Sequence, residues 1–148
     1  MFKNILIPTD GSRLAARGVK AGIRLARALG ARVTAVYVVP PYVPMLYGES
    51  TVYVPGYSPA EYRRITERQA KKVLGAVAAA ARGAGVRCAA RFVTEHQPWR
   101  AILATVKRAR CDAVAMASHG RGGLGGLILG SETQRVLAQS RIPVLVVR

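Results

Sequence analysis

The chain has 148 residues, with 23 Lys+Arg against 7 Asp+Glu and a formal net charge of +16. That length suits one domain with a sizeable core, and a hydrophobic share of 51% excludes a disordered chain. No apolar run approaches the roughly 18 residues of a membrane-spanning helix, and Met1-Phe2-Lys3-Asn4 leads straight into a strand-like run, which argues against a secretory signal.

Cys88 and Cys111 fit neither a metal spacing nor a disulfide framework. They read as free thiols of a reducing cytoplasm, the expected location. His96 and His119 are too few and too far apart to argue for a metal. Arg13, Arg17, Lys20, Arg24 and Arg27 recur at steps of four and three along one helix, and Arg63, Arg64, Arg68, Lys71 and Lys72 cluster on another. Without interleaved exposed aromatics or a nucleic-acid motif, these stripes read as solvated basic faces. Weak binding of nucleic acid is the alternative they leave.

In chain order, Asn4-Ile5-Leu6-Ile7-Pro8 is a short buried strand, followed by a turn at Thr9-Asp10-Gly11-Ser12. Asp10 and Ser12 are both suitable N-caps for the helix that runs to about Leu29, where Gly30 supplies a C-terminal stop. Arg32 to Val39 is β-rich and forms the second strand, and Pro40 to Tyr57 reads as a long surface loop. Ser58-Pro59-Ala60-Glu61 carries a capping box with proline at N1, so a helix starts there and continues to about Arg82. Val86 to Val93 is a third strand whose arginines place it near a sheet edge. Pro98 opens a helix to about Arg108, with Trp99 as a packing residue. Asp112 to Met116 is a fourth strand, a helix ends near Gln139, and Pro143 to Val147 closes the chain as a fifth strand. The alternation of strands and helices, with strands that barely alternate in polarity, predicts an α/β fold: a parallel sheet with helices on both faces. Ligands of such sheets bind beyond the carboxyl ends of the strands, where the winding reverses.

The stretch from Ala117 to Ser131 stands out, with six glycines between Gly120 and Gly130. Glycines let backbone N–H groups face a ligand closely. Ser131, read as N-cap with Gln134 at N3, starts a helix whose N-terminus favours anions. Strand, glycine loop and capped helix make a phosphate cradle; a glycine loop without a ligand is the other reading. Gly120-Arg121-Gly122-Gly123-Leu124-Gly125 satisfies G-x-G-x-x-G, yet the helix begins too late and no acidic residue follows at the ribose distance, so it is no dinucleotide fingerprint. Gly125 to Ser131 imitates a P-loop but lacks its lysine.

These residues resemble the universal stress protein family along almost the whole chain. Ile5-Leu6-Ile7-Pro8-Thr9-Asp10-Gly11-Ser12 is similar to the family's N-terminal signature, and Arg141 to Val147 to its last strand. Nucleotide-binding members carry G-x-x-G, nine residues, then G-[ST]. Gly120, nine residues, Gly130 and Ser131 match that pattern, while Ala117 stands in place of its first glycine. The resemblance implies a Rossmann-like sheet in the order 3-2-1-4-5, similar to the adenine nucleotide alpha hydrolases, with ATP, ADP or AMP in its crevice. It implies that Pro8, Thr9 and Asp10 lie by the nucleoside, Asp10 contacting ribose or a Mg²⁺ ion. Val38 would offer backbone groups to adenine, and Met116, Ala117 and Ser118 would end a strand beside sugar and phosphates. Gly120, Gly130 and Ser131 would cradle the phosphates, with the N–H groups of Glu132 and Thr133 as further donors. His119, in the loop beside the phosphates, is a candidate to contact a γ-oxygen or move a proton, with packing against the loop or a partner as the other reading, and Arg121 reads as a counter-charge to phosphate. The function implied is a nucleotide-dependent regulatory or chaperone-like module, with a homodimer formed through the C-terminal strand. A single carboxylate, Asp10, with no second base argues against more than slow hydrolysis. A family member that has lost nucleotide binding and acts through protein contacts is the competing reading.

Overall fold

The computed structural model describes residues 1–43, 56, 58–118 and 129–148. Among the described residues five strands and four helices alternate: β1 (Asn4–Pro8), α1 (Arg13–Leu29), β2 (Arg32–Val39), α2 (Pro59–Gly83), β3 (Cys88–Thr94), α3 (Pro98–Ala109), β4 (Ala113–Ala117), α4 (Ser131–Gln139) and β5 (Val144–Val147). The strands form one sheet in the order β3-β2-β1-β4-β5, and every pairing is parallel. This is the expected α/β architecture. β3 lies at an edge, as its arginines suggested, and most of its residues are exposed.

The weak polarity alternation of the inner strands has a direct cause. Ile5 and Ile7 face one core with Val19 and Ile23 of α1 and Leu74 and Val77 of α2. Leu6 faces the opposite core with Ile102 and Val106 of α3 and Val136 of α4. A strand covered on both faces has no side on which to place polar residues.

Local chemistry sets most element ends. Ser12, not Asp10, caps α1, its Oγ accepting from the Ala15 amide at 3.0 Å. Gly30 ends that helix with φ of 64°, a left-handed conformation that glycine adopts without steric cost. The capping box at α2 is complete: the Ser58 amide donates to Glu61 Oε2 at 2.8 Å, and the Glu61 amide to Ser58 Oγ at 3.2 Å. Of the predicted loop after β2, Pro40–Val43 and Gly56 are described; there Tyr42 packs its ring on Tyr62, with centroids 5.5 Å apart.

A polar cluster ties the amino ends of three strands together. Asn4 is 2% exposed; its Nδ2 donates to the Ala109 carbonyl at 2.9 Å and to Cys111 Sγ at 3.3 Å, and its Oδ1 accepts from Thr34 Oγ1 at 3.0 Å. Burial pushes the Cys111 thiol up from its ordinary pKa, so it stays protonated in this cluster. Buried polar groups satisfied in this way fix strand register as well as contributing stability.

Candidate functional site

The chain steps outward from β1 through β2 to β3, then crosses back to lay β4 and β5 on the other side of β1. The winding reverses between β1 and β4, and ligands of such sheets bind in the crevice beyond the carboxyl ends of the strands at that point. Ile5 pairs with Ala113 and Leu6 with Val114. The end of β1, leading to Thr9 and Asp10, therefore lies beside the end of β4, leading to Ser118.

α1 lies unusually close to this place. A Cβ on Gly18 would stand 2.7 Å from the Ala117 amide nitrogen and 3.0 Å from the Met116 carbonyl carbon. One on Gly22 would stand 2.6 Å from Ile7 Cδ1. Two glycines four apart let the helix backbone rest directly on the strand ends. A glycine pair inside a helix costs about 1 kcal/mol per position against alanine, and that mismatch is the sequence signal for the contact.

On the β1 side, the Thr9 amide donates to the Val36 carbonyl at 3.0 Å, and Thr9 Oγ1 accepts from the Gly11 amide at 3.2 Å. Asp10 is half-buried, and its Oδ1 accepts from the Ser12 amide at 2.9 Å, which holds the carboxylate at the strand end. Pro8 and Val38 are half-buried at the ends of their strands, Val38 with its side chain against the second core. On the β4 side, Met116, Ala117 and Ser118 are all buried. The Met116 side chain belongs to the second core, so this residue offers the crevice backbone alone.

The head of α4 is fastened to the end of β4. The Gly130 amide donates to the Ser118 carbonyl at 2.8 Å, and Thr133 Oγ1 donates to the Ala117 carbonyl at 3.1 Å. One expectation is corrected here. Ser131 is the first helical residue and not the N-cap; the N-cap is Gly130, without a side-chain cap bond, and its carbonyl accepts the first helical bond from the Gln134 amide at 3.0 Å. The bond to Ser118 pulls Gly130 into an extended conformation, φ −59° and ψ 149°, so the helix starts one residue earlier than the capping pattern suggested. The Gln134 side chain then reaches the Leu129 carbonyl at 2.8 Å instead of closing a capping box. His119, Gly120 and Arg121 lie outside the described residues.

The Glu132 carboxylate has a role that sequence reasoning missed. Its Oε2 accepts from the Trp99 amide at 2.8 Å. α3 begins at Gln97 without a side-chain cap of its own, so Glu132 of α4 caps it from the neighbouring helix. Arg135 flanks the same carboxylate at 3.5 Å. No local spacing connects Glu132 with Trp99, and only the packing of α3 on α4 brings them together.

The geometry thus joins a carboxylate at one strand end to a helix head without a side-chain cap at the next. The first turn of a helix leaves amides without intrahelical partners, and the helix dipole adds roughly half a positive charge there. Across its full length, residues 1–148, the chain matches the sequence model of the universal stress protein family. The chain belongs to this family. A universal stress protein of Thermus aquaticus, from the region 3′ of the QAH/OAS sulfhydrylase gene, is 35% identical over 148 residues, covering all of both chains. Among solved structures, the universal stress protein of Archaeoglobus fulgidus in complex with dAMP superposes with a TM-score of 0.70 at 17% identity, covering 99% of this chain and 98% of that one. The Arabidopsis thaliana family protein with AMP bound gives 0.65 at 17% identity, covering 98% and 90%. At such identities the likeness of the two solved structures shows the fold alone.

Proposed function

We propose that the chain binds an adenine nucleotide, ATP, ADP or AMP, in the crevice between β1 and β4 and works as a nucleotide-responsive regulatory module of the stress response. The observation that carries this reading is the head of α4: it lacks a side-chain cap, it is bonded to the end of β4, and it lies at the point where the winding reverses. In this reading the amides of Ser131, Glu132 and Thr133 face phosphate. Pro8, Thr9 and Asp10 line the nucleoside side, Val38 offers its backbone to adenine, and Ala117 and Ser118 close the floor. His119, Gly120 and Arg121 complete the phosphate loop. Family members solved with dAMP and AMP support the adenine class. The residues also fit the group chemically, since the first-turn amides of α4 suit phosphate and a net charge of +16 draws anions inward. Among the described residues no cluster of three or more His, Cys, Asp and Glu could hold a metal. A Mg²⁺ ion would therefore arrive with the phosphates and touch Asp10.

The test is a thermal-shift titration with ATP, ADP and AMP, with and without Mg²⁺, on the wild type and on Gly130→Val. The φ and ψ of Gly130 are ones that valine adopts without strain, so the variant folds while its branched side chain fills the cradle. Saturating nucleotide at about 100 times Kd stabilises by roughly 2.7 kcal/mol, and Gly130→Val loses that shift. A wild type that shows no shift with any of the three nucleotides hands the chain to the reading in which it acts through protein contacts alone.

The same reading gives the chain a cytoplasmic location and a homodimer formed through β5. β5 is an outer strand of the sheet and Leu145 on it is 42% exposed. An open apolar edge invites pairing with a second chain. Among the described residues no helix is long and apolar enough to cross a membrane.

A further inference from the structure

β3 ends the sheet on the side away from β5, and among the described residues its outer edge has no strand neighbour. Alternate residues of a strand point their N–H and C=O groups to opposite sides. The Arg87 carbonyl accepts from the Val33 amide at 2.8 Å, and the Glu95 amide donates to the Val39 carbonyl at 3.0 Å. Odd-numbered residues therefore turn their backbone groups to β2. Those of Ala90 and Phe92 point outward, away from the sheet.

The side chains of β3 divide by face in the same regular way. Ala90 and Phe92 turn towards α2, where with Leu74, Gly75 and Ala78 they line an open apolar trough of about 410 Å³. Glu67 and Lys71 stand at its rim. Phe92 is 39% exposed there. Arg91 lies on the opposite face, exposed, and it is the one charged residue of β3. On α2, Arg64, Arg68 and Lys71 are exposed and follow one another at helical spacing, so the two arginines share the helix face that brings Lys71 to the trough. The edge is thus apolar on one face, cationic on the other, and open along its backbone. This arrangement is two strands away from the crevice, so it does not depend on the nucleotide reading.

We propose that the outer edge of β3 is a docking site for an extended acidic segment of a partner protein, which adds to the sheet as a further strand. Its backbone pairs with Ala90 and Phe92, its apolar side chains enter the trough under α2, and its carboxylates meet Arg91 on the far face and the α2 cations at the rim. The occupant is a peptide and not a nucleic acid because the edge offers carbonyl acceptors as well as amide donors. A phosphate backbone is an acceptor alone and leaves those carbonyls unpaired.

The experiment uses the full chain and a fluorescein-labelled peptide alternating glutamate with leucine and valine. A lysine-for-glutamate counterpart, a proline-interrupted version and a short duplex DNA serve as comparisons. The glutamate peptide binds saturably, at least roughly tenfold more tightly than the lysine peptide, since like charges oppose docking. It also beats the proline version by roughly tenfold, since proline cannot donate to the ladder. Amide exchange slows at Ala90 and Phe92 when it binds. Gly75→Leu weakens binding roughly tenfold by filling the trough; its Cβ enters open space and leucine favours the helix, so the variant folds. Arg91→Glu narrows the preference for the acidic over the basic peptide, the α2 cations still favouring carboxylates. The proposal is overturned by an absence of binding, by equal affinity for both charged peptides, by unchanged exchange at Ala90 and Phe92, or by a Gly75→Leu protein that binds as the wild type does. Displacement of the peptide by duplex DNA at equal concentration also overturns it and assigns the surface to nucleic acid. Protection of both amides in the peptide-free protein overturns it too: rising with protein concentration, it assigns the edge to a second copy; independent of concentration, to the chain's own residues.

Discussion

At the scale of single residues, Asp112 and Glu132 do unlike work with the same chemistry. Each carboxylate accepts backbone amides that its own element does not supply. Asp112 Oδ2 accepts from the Lys3 amide at 2.7 Å, and its Oδ1 from the Asn4 amide at 3.0 Å, fastening β1 to the start of β4. Burial alone would raise the Asp112 pKa, but the amides of Asn4 and Lys3 outweigh it and hold the carboxyl below its ordinary value. A carboxyl with a lowered folded-state pKa contributes stability that is present above the unfolded value and lost as pH falls through the folded one. We predict that Asp112→Asn loses stability less steeply than the wild type as pH falls below the ordinary carboxylate range, measured by chemical denaturation across acid pH; equal slopes would remove Asp112 as the source. For Glu132, removal of a helix cap costs about 1 kcal/mol. Glu132→Ala should therefore melt earlier, with an altered emission from Trp99, the single tryptophan of the chain. Glu132→Gln, which keeps an acceptor oxygen, should recover part of the loss. A Glu132→Ala protein with wild-type melting and fluorescence would show that the cross-helix cap is idle.

Among the elements, α1 shows how tertiary contact overrides intrinsic propensity. Alanine at Gly18 would favour an isolated helix by up to about 1 kcal/mol. In the fold, the added methyl would meet the backbone of Met116 and Ala117, which has no flexible end to yield. Overpacking of this kind costs about 1–3 kcal/mol, so we predict that Gly18→Ala lowers the melting temperature and displaces the strand end that forms one wall of the crevice. A variant as stable as the wild type would mean that α1 can lift off β4 freely. The start of α2 at Ser58-Pro59-Ala60-Glu61 is legible in the sequence because the bonds of its capping box span only three residues, whereas at α1 the sequence offers Asp10 and Ser12 alike and the structure selects Ser12. The start of α4 was misread by one position because its decisive bond, from Gly130 to Ser118, joins residues far apart in the chain.

At the scale of the whole molecule, the sheet leaves two unequal edges. β5 is short and apolar, while β3 carries Arg91 and a neighbouring trough. The homodimer proposed through β5 gives a direct test. Light scattering should find wild-type protein at twice the 15.8 kDa chain mass. Leu145→Lys, which places charge on the open edge, should bring it to one chain mass. Wild-type protein at one chain mass over the accessible concentration range would reject the pairing.

From the sequence by itself came the order of elements, the parallel sheet, the edge position of β3 and the glycine-rich approach to a helix head. Each of these follows from polarity patterns and turn chemistry acting over a few residues. The tertiary structure alone decided which side chains serve distant elements: Glu132 for α3, Asp112 for β1, Gly18 for the end of β4, and Ala90 with Phe92 for a trough beneath α2. Those roles depend on contacts between segments tens of residues apart, and such contacts leave no period in the chain for a reader to find. They arise only when the hydrophobic faces of the helices close on the sheet and set every side chain's neighbours at once.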